Sequence, residues 1–448
     1  MNWLSKIENG GVVGAGGAGF PTHIKLDTHQ PTLIVNGIEC EPLLETDKYL
    51  MRTYAKNLIG VIDFLKVQLG ASRAVIGIKD KNINEIKILR KAIDEANSNV
   101  EIKIVQNYYP AGDEHILVKE VTGISIPPGG IPLDVGAVVI NVATLLDVEN
   151  ALQDKAVVKR VVTVTGAVKN PVLVEVPIGT SLETCLCLAG GASLSSYKVL
   201  LGGPIMGSIC EQENISTTYV TKTTNGIVVL ESDSYLVTMK QLPMRFIVRR
   251  TESACIQCQM CTDLCPRYLN GHPLYPHLVM RAIGTHSPDI EMLKSALLCC
   301  ECGICELYAC PMGLSPKTVN QHVKKELMSQ GIRLTKSTQA ICESHEMMTY
   351  RKIHSQRMMA RTDLLKYDAG HIEKVVSYQP KQVTIPLKQH IGQAAKPVIE
   401  NGRFVTVGMC IAKMDDSVLG ASVHASISGK ATILDGAIRI DSEEVHRD

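Results

Sequence analysis

Nine of the fifteen cysteines fall between residues 250 and 320, in two compact runs. The first is Cys255-x2-Cys258-x2-Cys261-x3-Cys265-Pro266. The second, CCECGICELYACP, reads as Cys299-x2-Cys302-x2-Cys305-x4-Cys310-Pro311. Two-residue gaps let a chain curl around an iron–sulfur cubane and present three thiolates to three irons. The distant cysteine before proline leaves on a helix and reaches a second cluster. One 4Fe–4S cluster is therefore expected on Cys255, Cys258, Cys261 and Cys310, and another on Cys299, Cys302, Cys305 and Cys265. C-x2-C pairs also hold zinc, but a structural zinc site uses four ligands, usually as two separated pairs. Two four-cysteine runs that each end in Cys-Pro favour iron and sulfide. The second run is unusual in two ways: its last gap is one residue longer, and Cys300 is a spare thiol able to stand in for Cys299.

A second constellation lies near the N-terminus. Gly14, Gly16 and Gly19 spell G-x-G-x-x-G, with Gly17 inside it. A dinucleotide loop of this kind should follow a strand and open a helix. Here only Val12 and Val13 precede it, so the glycines alone are a weak signal. Their neighbours strengthen it. Lys25 is a cation within reach of a phosphate held by the loop. Asn36, Glu39, Glu41 and Asp47 follow one strand-like run; Asp113 and Glu114 follow another and open the helical run DEHILVKEV. Carboxylates at successive strand ends mark where an open α/β sheet builds a site.

The elements that must position these residues follow from periodicity. TLIVNGI (32–38), RAVIGIK (73–79) and VEIKIV (100–105) read as strands. Residues 51–70 and 83–96 read as helices, the first with Leu58, Val61, Ile62, Leu65 and Leu69 on one face and Gly70 as its stop. This alternation predicts a parallel sheet with helices on its faces over residues 1–155. A smaller α+β module spans 156–245, with strands around Lys169-Asn170-Pro171. The cysteine-rich segment spans 246–330. Residues 331–378 are polar and Met-rich and read as a helical linker, and 379–448 is β-rich with glycine punctuation.

With 46 basic and 45 acidic residues, the charge balance gives no reason to expect nucleic acid or an anionic membrane as partner. No apolar run is long enough to span a bilayer. MNWLSKIENGG lacks the apolar core of a signal peptide. A cell-interior setting is expected, where thiols serve metal ligation or redox work rather than disulfides.

GAGGAGFPTHIK, NGIECEP, YPAGDE and NVAT (141–144) resemble the flavin- and NADH-binding subunit of respiratory complex I. They resemble the RnfC component of Rnf-type electron-transport complexes more closely. The resemblance covers the N-terminal α/β domain, a β-grasp module of the soluble-ligand-binding (SLBB) type, and a two-cluster ferredoxin-like domain. IPLKQHIG and VHASISG resemble the barrel-sandwich hybrid of that Rnf component, which stands at its N-terminus and here stands at the other end. That order is similar to the cobalamin-reducing flavoproteins of propanediol-utilisation microcompartments. The resemblance implies a Rossmann-like domain that binds FMN non-covalently through Gly14, Gly16, Gly17, Gly19 and Lys25. Asn36, Glu39, Glu41, Tyr109, Gly112, Asp113, Glu114, Asn141 and Thr144 fall on flavin or nicotinamide positions of the family. Two departures are visible: Asp113-Glu114 stands where the complex I flavoproteins have two glutamates, and Ile140 replaces the first asparagine of the pair that ends in Asn141.

On this reading NADH delivers a hydride, FMN converts the pair to single electrons, and the clusters carry them on. No side chain is expected to act covalently. Carboxylates near the ring would oppose an anionic reduced flavin. The acceptor implied by the resemblance is a cobalamin, with an adenosyltransferase and microcompartment shell proteins as neighbours. A ferredoxin, quinone or membrane complex is the alternative. The D-x-H-x-x-G motif of base-off cobalamin binding is absent. Lys413-Met414 lacks the context of a lipoyl or biotinyl lysine, which leaves the barrel as a docking module. The amphipathic run from Met1 to Ile7 could address the chain to a shell.

Overall fold

The computed structural model describes residues 2–285, 290–336, 342–415 and 418–442. Its first sheet is wholly parallel, in the order Glu101–Val105, Arg73–Lys79, Thr32–Asn36, Ala137–Asn141. The period-two pattern of each strand is spent on two faces. Ile34, Val75 and Val139 point into one apolar cluster with Ile116 and Leu117; Leu33, Val35, Ala74 and Ile76 point into another with Leu58, Ile62 and Leu65. Burial on both faces explains why the inner strands read as continuous apolar runs, whereas the edge strand Glu101–Val105 is buried only at Val105. The helix expected over 51–70 is two helices, Thr46–Thr53 and Ala55–Gln68, broken at Tyr54. The expected face of Leu58, Val61, Ile62, Leu65 and Leu69 is buried, and Gly70 takes a φ of 62° just beyond it.

A six-stranded sheet follows, in the order Val375–Ser377, Val172–Pro177, Lys159–Gly166, Gly226–Glu231, Tyr197–Leu201, Ser208–Glu211. The helix Leu182–Leu188 covers it, with Cys185 in the core and Cys187 exposed. The cysteine segment is held by the helices Met244–Ala254, Pro276–Gly284 and Pro316–Ser329, whose apolar faces share Ile247, Val279, Val319 and Val323. The C-terminal segment makes two small sheets: Gln382–Pro386, Ala437–Asp441, Gly429–Leu434 and Phe404–Val405 in one, and Lys396–Pro397, Cys410–Lys413 and Val423–His424 in the other.

Two expectations are corrected here. Residues 331–378 are not a helical linker. Beyond the end of the preceding helix the segment is mostly irregular, and its one α-helix among the described residues is Ser355–Arg361. Residues 337–341 lie outside the described residues. The rest behaves as a strap. Ile353–His354 pairs with Tyr108–Tyr109, and Val375–Ser377 adds to the edge strand Val172–Pro177. Pairing at open edges satisfies backbone groups that a polar, unperiodic sequence could not satisfy within a helix. The N-terminal run is likewise not a free address tag. Trp3–Asn9 is a helix whose Ile7 is fully buried and whose Trp3 packs on Phe64, so its apolar side belongs to the core. Met1 lies outside the described residues. Among the described residues no helix is long and apolar enough to cross a membrane.

Candidate functional site

Thiols of the two runs lie near one another across the sequence. Cys255, Cys258, Cys261 and Cys310 line one hollow with His277, Met280, Pro311 and Leu314. Burial, followed by the neighbouring Cys310, Cys255 and Cys258, pushes the Cys261 thiol up to about 12. In the other set burial raises Cys305 well above the ordinary thiol value, and Cys299 and Cys265 add to the shift. Without a cation such crowded, buried thiols keep their protons; they become thiolates only around a centre that brings its own positive charge. No three His, Cys, Asp or Glu side chains among the described residues gather as a single ion requires. The donor set and its spread around a hollow fit a multi-iron cluster.

The local backbone explains how the chain curls. Gln257, Gln259, Glu301 and Gly303 all have positive φ, at 54°, 64°, 62° and 79°. Three of these are not glycine, so each of those holds a conformation that costs energy unless its surroundings fix it. The longer gap of the second run has a structural counterpart: Cys305–Ala309 is a π-turn, the usual way to absorb one extra residue in a helical segment. Cys300 is drawn toward Cys302 and Arg267, whereas the Cys299 sulfur accepts from the Glu301 N–H.

The glycine segment forms an exposed turn at residues 16–18, stapled at both ends. Gly14 and Phe20 bond across its base, the Ala15 N–H donates to Thr144 Oγ1 at 2.9 Å, and Asn225 donates to the Ala15 carbonyl at 2.7 Å. Gly16 lies against the Asn141 side chain, and Gly17 has a φ of 140° with nothing within 4 Å of where a Cβ would sit. The N–H groups of Gly16, Gly17 and Ala18 make no hydrogen bond among the described residues. Free amides on an open glycine turn fit a phosphate. Lys25, expected as the phosphate cation, is paired with Glu114 Oε1 at 2.8 Å, so two expected site residues meet each other.

The remaining site residues divide into three groups. Asn36 donates to the Gly112 carbonyl at 2.9 Å, and a side chain at Gly112 would strike Ile38 and Cys40. Asn141 donates to Asp47 at 2.9 Å while its own oxygen caps Ala143 N–H. Glu39 sits beside Asp47, and burial first, then Asp47, raises its carboxyl above the usual range. Glu39 Oε2 and Asp47 Oδ1 are buried without a partner among the described residues. Orphan acceptors of this kind suit a ligand that brings donors, as an isoalloxazine or nicotinamide edge does.

The third group bonds to parts of the chain beyond the first sheet. The Glu41 carboxylate accepts from Ile205 and Met206 N–H at 2.8 and 2.9 Å, in the loop that follows Gly203, and burial lifts it to about 7. Tyr109 donates its hydroxyl to the Cys302 carbonyl at 2.8 Å. Asp113 caps the helix Glu114–Thr122 and pairs with Arg267 at 2.8 Å. Glu41, Tyr109 and Asp113 thus join the first sheet to its neighbours. Arg267, Asn225 and the 203–206 loop escaped the sequence reading. GGPIMG was a visible glycine-rich signal, but nothing local marked Arg267 as the partner of a residue 154 positions away.

Residues 7–150 match the Nuo51 FMN-binding domain, 161–208 the SLBB domain, 254–315 a 4Fe-4S dicluster domain, and 369–444 the RnfC barrel sandwich hybrid domain. Together with the crossed thiols and the open glycine turn, these define an oxidoreductase with FMN and two 4Fe–4S clusters. The chain is 38% identical over 428 residues to the cobalamin reductase PduS of Citrobacter freundii, covering 95% of this chain and 92% of that one. It is 34% identical over 269 residues to a component of the Na(+)-translocating ferredoxin:NAD(+) oxidoreductase complex of Acetobacterium woodii, covering 59% of this chain and 57% of that one. The chain belongs to the PduS/RnfC family. An NAD+-reducing NiFe hydrogenase in its H2-reduced state shares the fold, with a TM-score of 0.50 at 19% identity over 74% of this chain and 62% of that chain. The chain spans less than two thirds of both the Acetobacterium protein and the hydrogenase chain.

Proposed function

We propose that this protein oxidises NADH and delivers single electrons to a cobalamin, taking cob(III)alamin towards cob(I)alamin for coenzyme B12 recycling in propanediol utilisation. The observation that carries this reading is the extent of the similarity. The match to PduS runs through all four modules, barrel included, whereas the match to the Acetobacterium protein stops at 59% of the chain. FMN, when bound, supplies the exchange between a hydride and single electrons. The chain's own tasks follow from the site. The amides of residues 16–18 and Lys25 take the phosphate, with Lys25 leaving Glu114 to do so. Asn36, Gly112, Asn141 and Thr144 hold the walls in place. Glu39 and Asp47 offer unpartnered carboxyl oxygens to the ring edge, and Glu41 holds the 203–206 loop. Within a microcompartment, the product would pass to an adenosyltransferase. Co-purification of that enzyme or of shell proteins tests this part.

The test is an oxygen-free preparation assayed for iron, sulfide and FMN, bleached with NADH, then mixed with hydroxocobalamin in a single turnover. Cobalamin reduction at the rate of re-oxidation of the protein is expected. Rapid re-oxidation by ferredoxin or a quinone, with cobalamin inert, would favour the second reading, an electron-transfer component of the Rnf type, which the barrel match supports. The crossed ligand sets have their own check. Cys310→Ala should lower iron from roughly eight to roughly four per chain and remove the cluster nearest Cys255, leaving the cluster of Cys265 intact.

A further inference from the structure

Arg267 lies two residues beyond the cluster ligand Cys265, in the short helix Pro266–Leu269. Its guanidinium is almost wholly buried, with a side-chain exposure of 11% against 13% for its partner Asp113. One nitrogen donates to Asp113 Oδ2 at 2.8 Å, and the Cys300 thiol lies near enough to act on the guanidinium electrostatically. Nε has no partner among the described residues. Two histidines flank the pair. His115 and His272 stack edge to face at 5.1 Å beside it, and burial pushes them down to about 3 and about 4, so both are neutral at physiological pH. Asp113 itself follows Gly112, the residue that Asn36 holds at the end of the central strand. The pair thus spans the distance from the flavin-side strand ends to the thiols of cluster two.

We propose that Arg267 is a positioning residue that sets the reduction potential of the second cluster, and that Asp113 sets how much of the Arg267 charge that cluster feels. The inference rests on the flavin and cluster reading above but not on cobalamin as acceptor. A fixed cation in a low-dielectric setting favours the more negative, reduced form of a neighbouring centre and raises its potential. A carboxylate 2.8 Å from that cation offsets part of the effect. The two substitutions therefore act with opposite sign: Arg267→Gln lowers the potential of cluster two, and Asp113→Asn raises it. Arg267→Lys keeps the charge and holds the potential near that of the parent protein. A role confined to packing would shift both variants in the same direction.

The experiment is an EPR-monitored redox titration of the anaerobic holoprotein with dithionite, without NADH. Cluster two is identified as the signal lost in Cys265→Ala. Opposite shifts of that signal in Arg267→Gln and Asp113→Asn, with the other cluster unmoved, establish the proposal. Shifts of equal sign, equal shifts of both clusters, or no shift overturn it. Should Arg267→Gln fail to assemble cluster two, Asp113→Asn decides alone: a raised potential supports the proposal and an unchanged or lowered one sinks it. If the protein assembles no clusters at all, the iron–sulfur reading fails first, and iron and sulfide analysis separates that outcome from the others.

Discussion

Glu41 has exchanged water for two backbone N–H donors, and the exchange is incomplete. Its carboxyl rises to about 7 because burial outweighs the help of Ile205, Met206, Lys240 and Lys317. The unfolded chain ionises this group near 4.5, while the folded chain keeps the proton until about 7. Folding stability is therefore lost as pH climbs through that interval and is level above it. Glu41→Gln removes the loss. The melting temperature of the variant relative to the parent should improve between pH 5 and pH 8, by the equivalent of at most about 3 kcal/mol. A parallel pair of melting curves across that range would show that the carboxylate is not strained. Glu39 and Asp47 carry the same sign of burial penalty.

At the scale of elements, the two-residue strand Tyr108–Tyr109 joins three parts of the molecule. Its backbone pairs with Ile353–His354 of the strap. The Tyr109 ring packs with Leu307, Met358 and Met359, and its hydroxyl holds the Cys302 carbonyl. The cysteine run is thereby fastened to the end of the first sheet, which keeps donor and acceptor centres in fixed register. Tyr109→Phe keeps the ring and leaves a buried carbonyl without its donor, a cost of about 1–2 kcal/mol. Iron should be lost faster to a chelator from this variant, at unchanged FMN content. Equal loss of both cofactors would place the hydroxyl's role in the fold as a whole.

The whole molecule is held together by buried charge where its modules meet. Arg160, on the strand Lys159–Gly166, grips Asp147 of the helix Val142–Leu152 with two bonds of 2.9 and 2.6 Å, and gives a third at 2.7 Å to the Lys222 carbonyl. Lys222 in turn donates to Gly11 and Ser422 carbonyls, both at 2.6 Å, so one buried ammonium touches the first sheet's entry segment and the barrel together. Gly19 adds a steric lock: a Cβ there would sit 2.9 Å from the His390 backbone. Arg160→Met strands Asp147 in the interior and should cost about 3–5 kcal/mol. Arg160→Met with Asp147→Leu should recover most of this, because the isolated charge is the expensive species. Denaturant midpoints of the single and double variants check it, and a double variant no better than the single would assign the loss to packing.

The cysteine runs, the parallel strands at 32–36, 73–79 and 101–105, and the helix face from Leu58 to Leu69 were readable from the chain alone. Each depends on near neighbours: ligand spacing on a curled backbone, or apolar periodicity against a single sheet. The strap was not readable, because strands of two and three residues carry too little alternation to register, and their pairing partners lie hundreds of residues away. The same is true of Lys25 meeting Glu114, of Glu41 turning to the 203–206 loop, and of Asp113 meeting Arg267. A side chain's type announces that it needs a charge or a donor; which one it finds is decided when separately encoded layers pack and bury them together. Local chemistry thus chose the cofactors, and tertiary packing chose the contacts between the segments that hold them.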